Sequence, residues 1–211
     1  MKSSILRAGV VALACALSLS ACGGGKGDLN LTGNVYNVTK EGLELTNNGG
    51  DNTKVVSPFT SFVFNNRVST DDSFNIEVAN VPSNVASKAD CVVTNGKGRA
   101  NYFSIAQISV KCTIRQRALT VNVSGLTKDG LVIVNGNDSK TVAAGTTRVD
   151  MQKVNEDGPY GVTVLTQPHT VDPVSGQSVQ TQTCTVGGGS NGIGGGTMGA
   201  TEDTTVTVDC Q

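Results

Sequence analysis

Apolar and polar residues alternate along much of this chain, which is the pattern of β-strands with one buried face. Leu29 to Tyr36 is the clearest case, with Leu31, Gly33 and Val35 on one face. Further strands are predicted before residue 113, where β-forming residues alternate or cluster between turn residues: Leu43 to Thr46, Lys54 to Val56, Thr60 to Phe64, Phe74 to Ala79, Asp90 to Val93 and Tyr102 to Cys112. This succession favours an all-β fold.

The same order of features recurs about 88 residues later. Thr39 to Leu43 reappears as Thr127 to Leu131, and each copy ends with two cysteines. A repeat of this length indicates a duplicated domain and not a solenoid unit, because roughly 85 residues suffice for a β-sandwich. We therefore place one domain at residues 28–113, a short linker at 114–117 and a second domain at 118–211.

The composition predicts two thin β-domains. Of the 211 residues, 26 are glycine and 4% are aromatic, with no tryptophan, so each core has to be built from Val, Leu and Ile. Small cores of this kind need cross-links. Domain 2 differs from domain 1 by an insertion, Val171 to Gln182, and by a glycine-rich tract, Gly187 to Gly199, which we expect to be a floppy loop.

The first 21 residues have the composition of an export signal. Lys2 and Arg7 accompany an apolar run, Ala8 to Leu19, that is too short for a permanent membrane helix. The run ends in Leu19-Ser20-Ala21-Cys22, which resembles the lipobox of bacterial lipoproteins. The resemblance implies cleavage before Cys22, acylation of its thiol with a lipid such as palmitate, and a membrane as partner; residues 22–27 then form a glycine-rich tether. The alternative is an ordinary signal peptide cut after Ala21.

Residue 23 and the net charge bear on location and partners. Gly23 stands where inner-membrane lipoproteins of enteric bacteria commonly have Asp, so the resemblance implies the outer membrane, with the side left open. Without Lys2 and Arg7, fourteen basic residues stand against seventeen acidic ones, a net charge of −3. Such a chain lacks the basic surface that neutralises phosphates, so nucleic acid is not expected as a partner.

The body of the chain resembles repeats of proteobacterial surface proteins and lipoproteins. The best markers are Gly-Leu at 42 and 43 and at 130 and 131, Gln-Pro at 167 and 168, and Cys-Val-Val-Thr-Asn-Gly at 91 to 96. The resemblance implies immunoglobulin-like or prealbumin-like β-sandwiches, as in bacterial surface stalks. Because scaffold residues define these repeats, it implies no catalytic residues and no cofactor.

Export also determines what the cysteines are expected to do. Thiols oxidise outside the cytoplasm, and with Cys15 removed and Cys22 acylated, each domain retains two cysteines. We expect one disulfide in each domain, Cys91 with Cys112 and Cys184 with Cys210. Metal-binding thiols are the alternative, but the chain has no Cys-x-x-Cys and no histidine near them in the sequence.

Motifs for catalysis or metal binding are weak. The one histidine, His169, cannot form a catalytic triad or a multi-histidine metal site alone, and we expect it in a solvated loop. Gly194 to Gly199 fits G-x-G-x-x-G without the strand and helix that a dinucleotide site needs. The acidic pairs Asp71-Asp72 and Glu156-Asp157 are expected to be solvated turn acids, with calcium ligation as the alternative.

The aromatic residues supply the candidate binding surface. Strand alternation sends Phe62 and Phe64 to one face and Tyr102 and Phe103 to opposite faces, which leaves one of the latter pair exposed. An exposed aromatic ring on a β-face can stack on a sugar or a partner; packing against the tether or domain 2 is the alternative. We expect a non-enzymatic envelope lipoprotein that acts as a spacer or binds an envelope protein or a glycan. The alternative is a small hydrolase or carbohydrate-active enzyme, which would need two carboxylates within about 10 Å in a pocket.

Overall fold

The computed structural model describes residues 28–211, so the predicted signal peptide, Cys22 and the tether lie outside the described residues. Nearly every regular element is a β-strand, and disulfides join Cys91 to Cys112 and Cys184 to Cys210. The prediction of an all-β, two-domain chain with one disulfide in each domain is confirmed.

Domain 1 contains eight strands, one 3₁₀ turn and one short helix. In chain order they are β1 (Leu29–Tyr36), β2 (Glu44–Asn47), β3 (Asp51–Lys54), β4 (Ser61–Val68), β5 (Ser73–Asn80), the 3₁₀ turn (Lys88–Asp90), β6 (Cys91–Thr94), β7 (Lys97–Arg99), α1 (Tyr102–Ile105) and β8 (Ser109–Cys112). One sheet has the order β4-β1-β8-β6 and the other β3-β2-β5-β7.

Domain 2 is built entirely of strands and turns. They are β9 (Gln116–Arg117), β10 (Leu119–Ser124), β11 (Leu131–Asn135), β12 (Asp138–Val142), β13 (Arg148–Asp150), β14 (Val154–Asn155), β15 (Pro159–Thr166), β16 (His169–Val171), β17 (Ser178–Gln180), β18 (Cys184–Gly188), β19 (Gly195–Thr197) and β20 (Thr204–Cys210). Its main sheets have the orders β13-β10-β20-β18 and β12-β11-β15-β19.

The strands of the two domains correspond in position. In each domain the first long strand pairs in parallel with the last one, β1 with β8 and β10 with β20. The disulfide then joins directly opposed residues of the last strand and its antiparallel neighbour: Cys112 faces Cys91, and Cys210 faces Cys184. Each domain therefore has a covalent link between two strands of the same sheet.

Each domain encloses its own core between its two sheets. In domain 1, Leu31 of β1 and Phe62 and Phe64 of β4 are buried together with Leu45 of β2 and Phe74 of β5. The Phe62 and Phe64 rings pack edge to face, 5.7 Å apart, which confirms that they share one face. In domain 2, aliphatic side chains fill the same space, with Tyr160 as its one buried aromatic residue among residues 118–211.

Gly33 shows how a thin core is packed around large rings. A Cβ atom on Gly33 would lie 2.6 Å from the Phe62 ring and 2.6 Å from the Ile108 carbonyl oxygen. The inward-facing position in the middle of β1 therefore has to be glycine, because the aromatic residue of the neighbouring strand occupies the space of its side chain.

Candidate functional site

Tyr102 and Phe103, the predicted binding residues, both project into solvent, with exposed fractions of 74% and 82%. The prediction of a strand at this point, with one ring directed inward, is wrong. The two residues begin α1, in which consecutive side chains point roughly 100° apart and not to opposite faces. Only Ile105 at the end of this turn is buried.

A capping box holds the backbone under the two rings. Asn101 Oδ1 accepts hydrogen bonds from the N–H groups of Phe103 and Ser104, at 3.0 and 2.9 Å, and Ser104 Oγ accepts from the Asn101 N–H at 3.0 Å. Ser104 Oγ also lies 2.8 Å from the Arg99 carbonyl oxygen, to which it can donate. The aromatic pair is thus displayed on a turn whose conformation is fixed by its own polar neighbours.

α1 lies at the pole of domain 1 where β1 begins. Leu29 of β1 pairs with Val68, the last residue of β4. In the turn that follows, the Asp71 N–H donates to the Ala100 carbonyl oxygen at 2.9 Å, and the Ala100 N–H donates to the Asp72 carbonyl oxygen at 2.8 Å. We call the start of β1, the turn 69–72 and α1 the amino-terminal pole.

The opposite pole of domain 1 is joined to domain 2. Because β8 runs parallel to β1, the chain leaves domain 1 at the end away from β1's start. It continues into β9, in which Gln116 and Arg117 pair with Asn155 and Val154 of β14. Half of the segment 114–117, which the sequence places in the linker, is therefore strand.

Two side chains of domain 1 hold Asp157 of domain 2. Lys40 Nζ lies 2.7 Å from Asp157 Oδ2, and Asn84 Nδ2 donates to the same oxygen at 3.3 Å. Asn84 is buried and also donates to Thr39 Oγ1 at 2.9 Å, so its position is fixed from within domain 1. Asp157 is thus engaged across the junction, and the Lys40 ammonium neutralises its charge.

Glu156 places a buried carboxylate at the same junction. It is 2% exposed, and its Oε2 lies 3.7 Å from Arg115 Nε and 3.6 Å from Arg117 Nη2. These distances make ion pairs and not hydrogen bonds. Arg115 also donates to the Ser83 carbonyl oxygen of domain 1 at 2.6 Å. The expectation of a solvated turn acid at Glu156 is wrong, because Arg115, just before β9, and Arg117, within it, place two guanidinium groups beside the carboxylate.

The insertion of domain 2 forms the two-stranded hairpin β16–β17. It lies at the end of domain 2 away from the junction, which we call the far pole. Its base is held beside the turn after β10, where the His169 N–H donates to the Asp129 carbonyl oxygen at 3.1 Å. His169 is half-buried within β16, so the prediction of a loop histidine is wrong.

Val174 at the tip of the β16–β17 hairpin is 95% exposed. Backbone N–H groups of Ser175 and Val174 donate to the Asp172 carboxylate and hold its pKa below the usual 3.8.

The glycine-rich tract is part of the domain 2 fold, contrary to expectation. Gly195 and Gly196 of β19 pair with Gly161 and Tyr160 of β15, and the Ser190 N–H donates to Tyr160 Oη at 2.8 Å. Backbone hydrogen bonds order this tract, and glycines provide the space for close strand contact. β19 leads into a turn and not a helix, so the G-x-G-x-x-G spacing forms no dinucleotide site.

A shallow groove of about 340 Å³ beside the start of β2 is lined by two acidic residues, Glu41 and Glu44. Glu44 Oε1 lies 3.2 Å from Lys54 Nζ, so one of the two is paired with a cation. The remaining lining is backbone and aliphatic. The hydrolase alternative requires two carboxylates within about 10 Å in a pocket, and this groove has two acidic residues in its lining.

Within residues 28–211, no three His, Cys, Asp or Glu side chains are grouped in a way that could hold a metal ion. Asp72 Oδ2 accepts a hydrogen bond from the Ser69 N–H at 2.7 Å, so this carboxylate stabilises the turn that contains it. In the same range no helix has the length and apolarity needed to cross a membrane.

No protein-family model and no curated protein matches this chain.

Proposed function

We propose that this protein is an outer-membrane lipoprotein, anchored through Cys22, whose two β-domains act as a rigid, non-enzymatic spacer. The supporting observation is the domain junction, where Lys40 and Asn84 of domain 1 contact Asp157 of domain 2. The buried Glu156 lies there beside Arg115 and Arg117 of the linker. Flexible linkers lack such contacts, and domains joined by them move independently. Here the segment between the domains is used to fix their arrangement.

The direction of the chain gives the spacer two different ends. The amino-terminal pole receives the chain from the Cys22 side, while β16–β17 lies at the far pole of domain 2. Val171, Val174 and Val179 are 63%, 95% and 50% exposed on that hairpin. Exposed apolar side chains on a loop favour a protein partner over a sugar. The spacer would then present the hairpin to an envelope protein away from the membrane.

Anchoring is tested by metabolic labelling of cells with a fatty acid. Cys22→Ser should abolish the label and leave the precursor uncleaved, because the thiol is the acylation site. Cys15→Ser, which changes the cysteine within the predicted signal peptide, should keep both label and cleavage. Label retained by the Cys22→Ser protein would contradict the proposal.

The groove with Glu41 and Glu44 supports one alternative, a small glycan hydrolase. Its test is the purified chain on envelope glycans, with Glu41→Gln and Glu44→Gln as matched variants. The spacer proposal predicts no release of reducing ends by any of the three proteins. Release by the unaltered chain that either variant abolishes would favour the enzyme.

A further inference from the structure

We propose that Tyr102 and Phe103 insert into the headgroup region of the bilayer that holds the lipid on Cys22. The protein would then touch the membrane at two points, which fixes its orientation. This inference rests on the proposed anchoring and assigns a lipid surface as the partner of the aromatic pair.

The first argument is the exposure of two adjacent aromatic rings on a preformed turn. Tyr102 and Phe103 are 74% and 82% exposed, whereas Phe62, Phe64 and Phe74 are buried. The capping box of Asn101 and Ser104 fixes the backbone beneath them. Insertion therefore requires little further ordering of the chain, and large apolar surfaces that a protein holds in water commonly mark an interaction site.

The second argument is the position of the pair relative to the predicted anchor. Asp28 follows Cys22 by six positions in the sequence, with five residues between them, and an extended chain of six steps spans about 20 Å. Asp28 leads into Leu29, which pairs with Val68 at the amino-terminal pole, and α1 packs against β1 there. A lipid on Cys22 would therefore keep this pole, and not the pole at β16–β17, close to the bilayer.

The third argument is that the two side-chain oxygens that flank the rings already make hydrogen bonds within the turn. A glycan site needs donors and acceptors around its stacking ring, but Asn101 Oδ1 and Ser104 Oγ make the bonds of the capping box. A tyrosine ring with a polar tip beside a phenylalanine suits the boundary between headgroups and acyl chains, where aromatic residues of membrane proteins concentrate.

The charges at this pole indicate that apolar contact, and not phosphate attraction, would dominate binding. Arg67 and Arg99 are accompanied by Asp28, Asp71 and Asp72. Arg99 Nη1 also donates to the Asp71 carbonyl oxygen at 2.8 Å. Insertion should therefore occur in zwitterionic and anionic bilayers alike and should persist at high salt.

The absence of tryptophan from the chain makes a direct test possible. Phe103→Trp places a unique fluorophore at the proposed contact, and Tyr102→Trp gives a second reporter. Val174→Trp, at the opposite pole, is the matched control. Each acylated full-length protein is reconstituted into phosphatidylethanolamine and phosphatidylglycerol vesicles, with or without lipids brominated on the acyl chains, and flotation and mass spectrometry confirm acylation.

We expect brominated lipid to lower Phe103→Trp and Tyr102→Trp emission roughly twofold and to leave Val174→Trp unchanged. Unquenched emission from both reporters in acylated, vesicle-bound protein would overturn the membrane contact while leaving the anchor intact. Protein that carries no acyl chain and fails to float would overturn both proposals.

Discussion

The stability of the domain junction depends most on one buried side chain, that of Glu156. A carboxylate removed from water is costly unless counter-charges accompany it, and here Arg115 and Arg117 provide them. The two arginines are themselves partly exposed, whereas the Glu156 side chain is 1% exposed. Removing the carboxylate should therefore destabilise the junction more than removing either arginine.

Replacing Glu156 with Ala should lower the free energy of unfolding by about 3 kcal/mol, because it leaves two guanidinium groups without their partner. Glu156→Gln, which keeps the size and one acceptor, should cost less. Glu202→Ala, at an exposed position of domain 2, serves as control and should change stability by less than about 0.5 kcal/mol. Urea unfolding measures all three; equal effects at positions 156 and 202 would contradict this role.

The burial of Glu156 could not be predicted from the sequence. It sits in a turn next to Asp157, where acidic residues are usually solvated, and its partners lie about 40 residues earlier. Only the pairing of β9 with β14 brings them together. By contrast, the pairing of Cys91 with Cys112 could be predicted, since the expected export and the count of two cysteines per repeat suffice.

At the scale of elements, the alternation of apolar and polar residues predicts the strands well. It fails at a short helical turn that polar side chains cap. β1 has the predicted bounds, and β2, β4, β5 and β6 lie within a few residues of theirs. The segment Tyr102 to Ile105 consists of residues that suit a strand, yet Asn101 and Ser104 close it into a helical turn. That Asn-x-x-Ser spacing is the signal in the sequence that could have identified α1.

The glycine-rich segment and the inserted hairpin should respond differently to deletion. Removing Ser190 to Gly196 eliminates two residues of β19 and the donor to Tyr160 Oη, so domain 2 should lose several degrees of thermal stability. Replacing Val171 to Ser178 with a two-residue turn removes mostly exposed side chains and should leave the melting temperature nearly unchanged. Calorimetry measures the melting temperature of both variants. A larger loss on replacing the hairpin than on deleting the glycine-rich segment would show that this segment is dispensable.

Each disulfide should stabilise its own domain. The bridges span sequence separations of 21 and 26, for which the chain-entropy model gives about 3 kcal/mol. Replacing Cys184 and Cys210 together with Ala should therefore destabilise domain 2 by about that amount and leave the unfolding of domain 1 unchanged. Domain-resolved hydrogen exchange tests this, and equal loss of protection in domain 1 would contradict independent cores.

At the scale of the whole molecule, the parallel first and last strands of each domain determine its shape. Because β1 and β8 run in the same direction, the chain enters and leaves domain 1 at opposite poles, and β10 and β20 repeat the arrangement in domain 2. The last strand of domain 1 therefore leads, through β9, into the first long strand of domain 2. Under the proposed function, a rigid junction would hold the amino-terminal pole at a fixed distance from β16–β17.

The rigidity of the junction is tested most directly by residual dipolar couplings of backbone amides in the oxidised chain from residue 22 with Cys22→Ser. The account predicts that one alignment tensor fits residues 29–112 and 119–210 together, and that Glu156→Ala splits it into two. Separate tensors of different magnitude in the unaltered chain would mean independent domain motion and would contradict the rigid spacer.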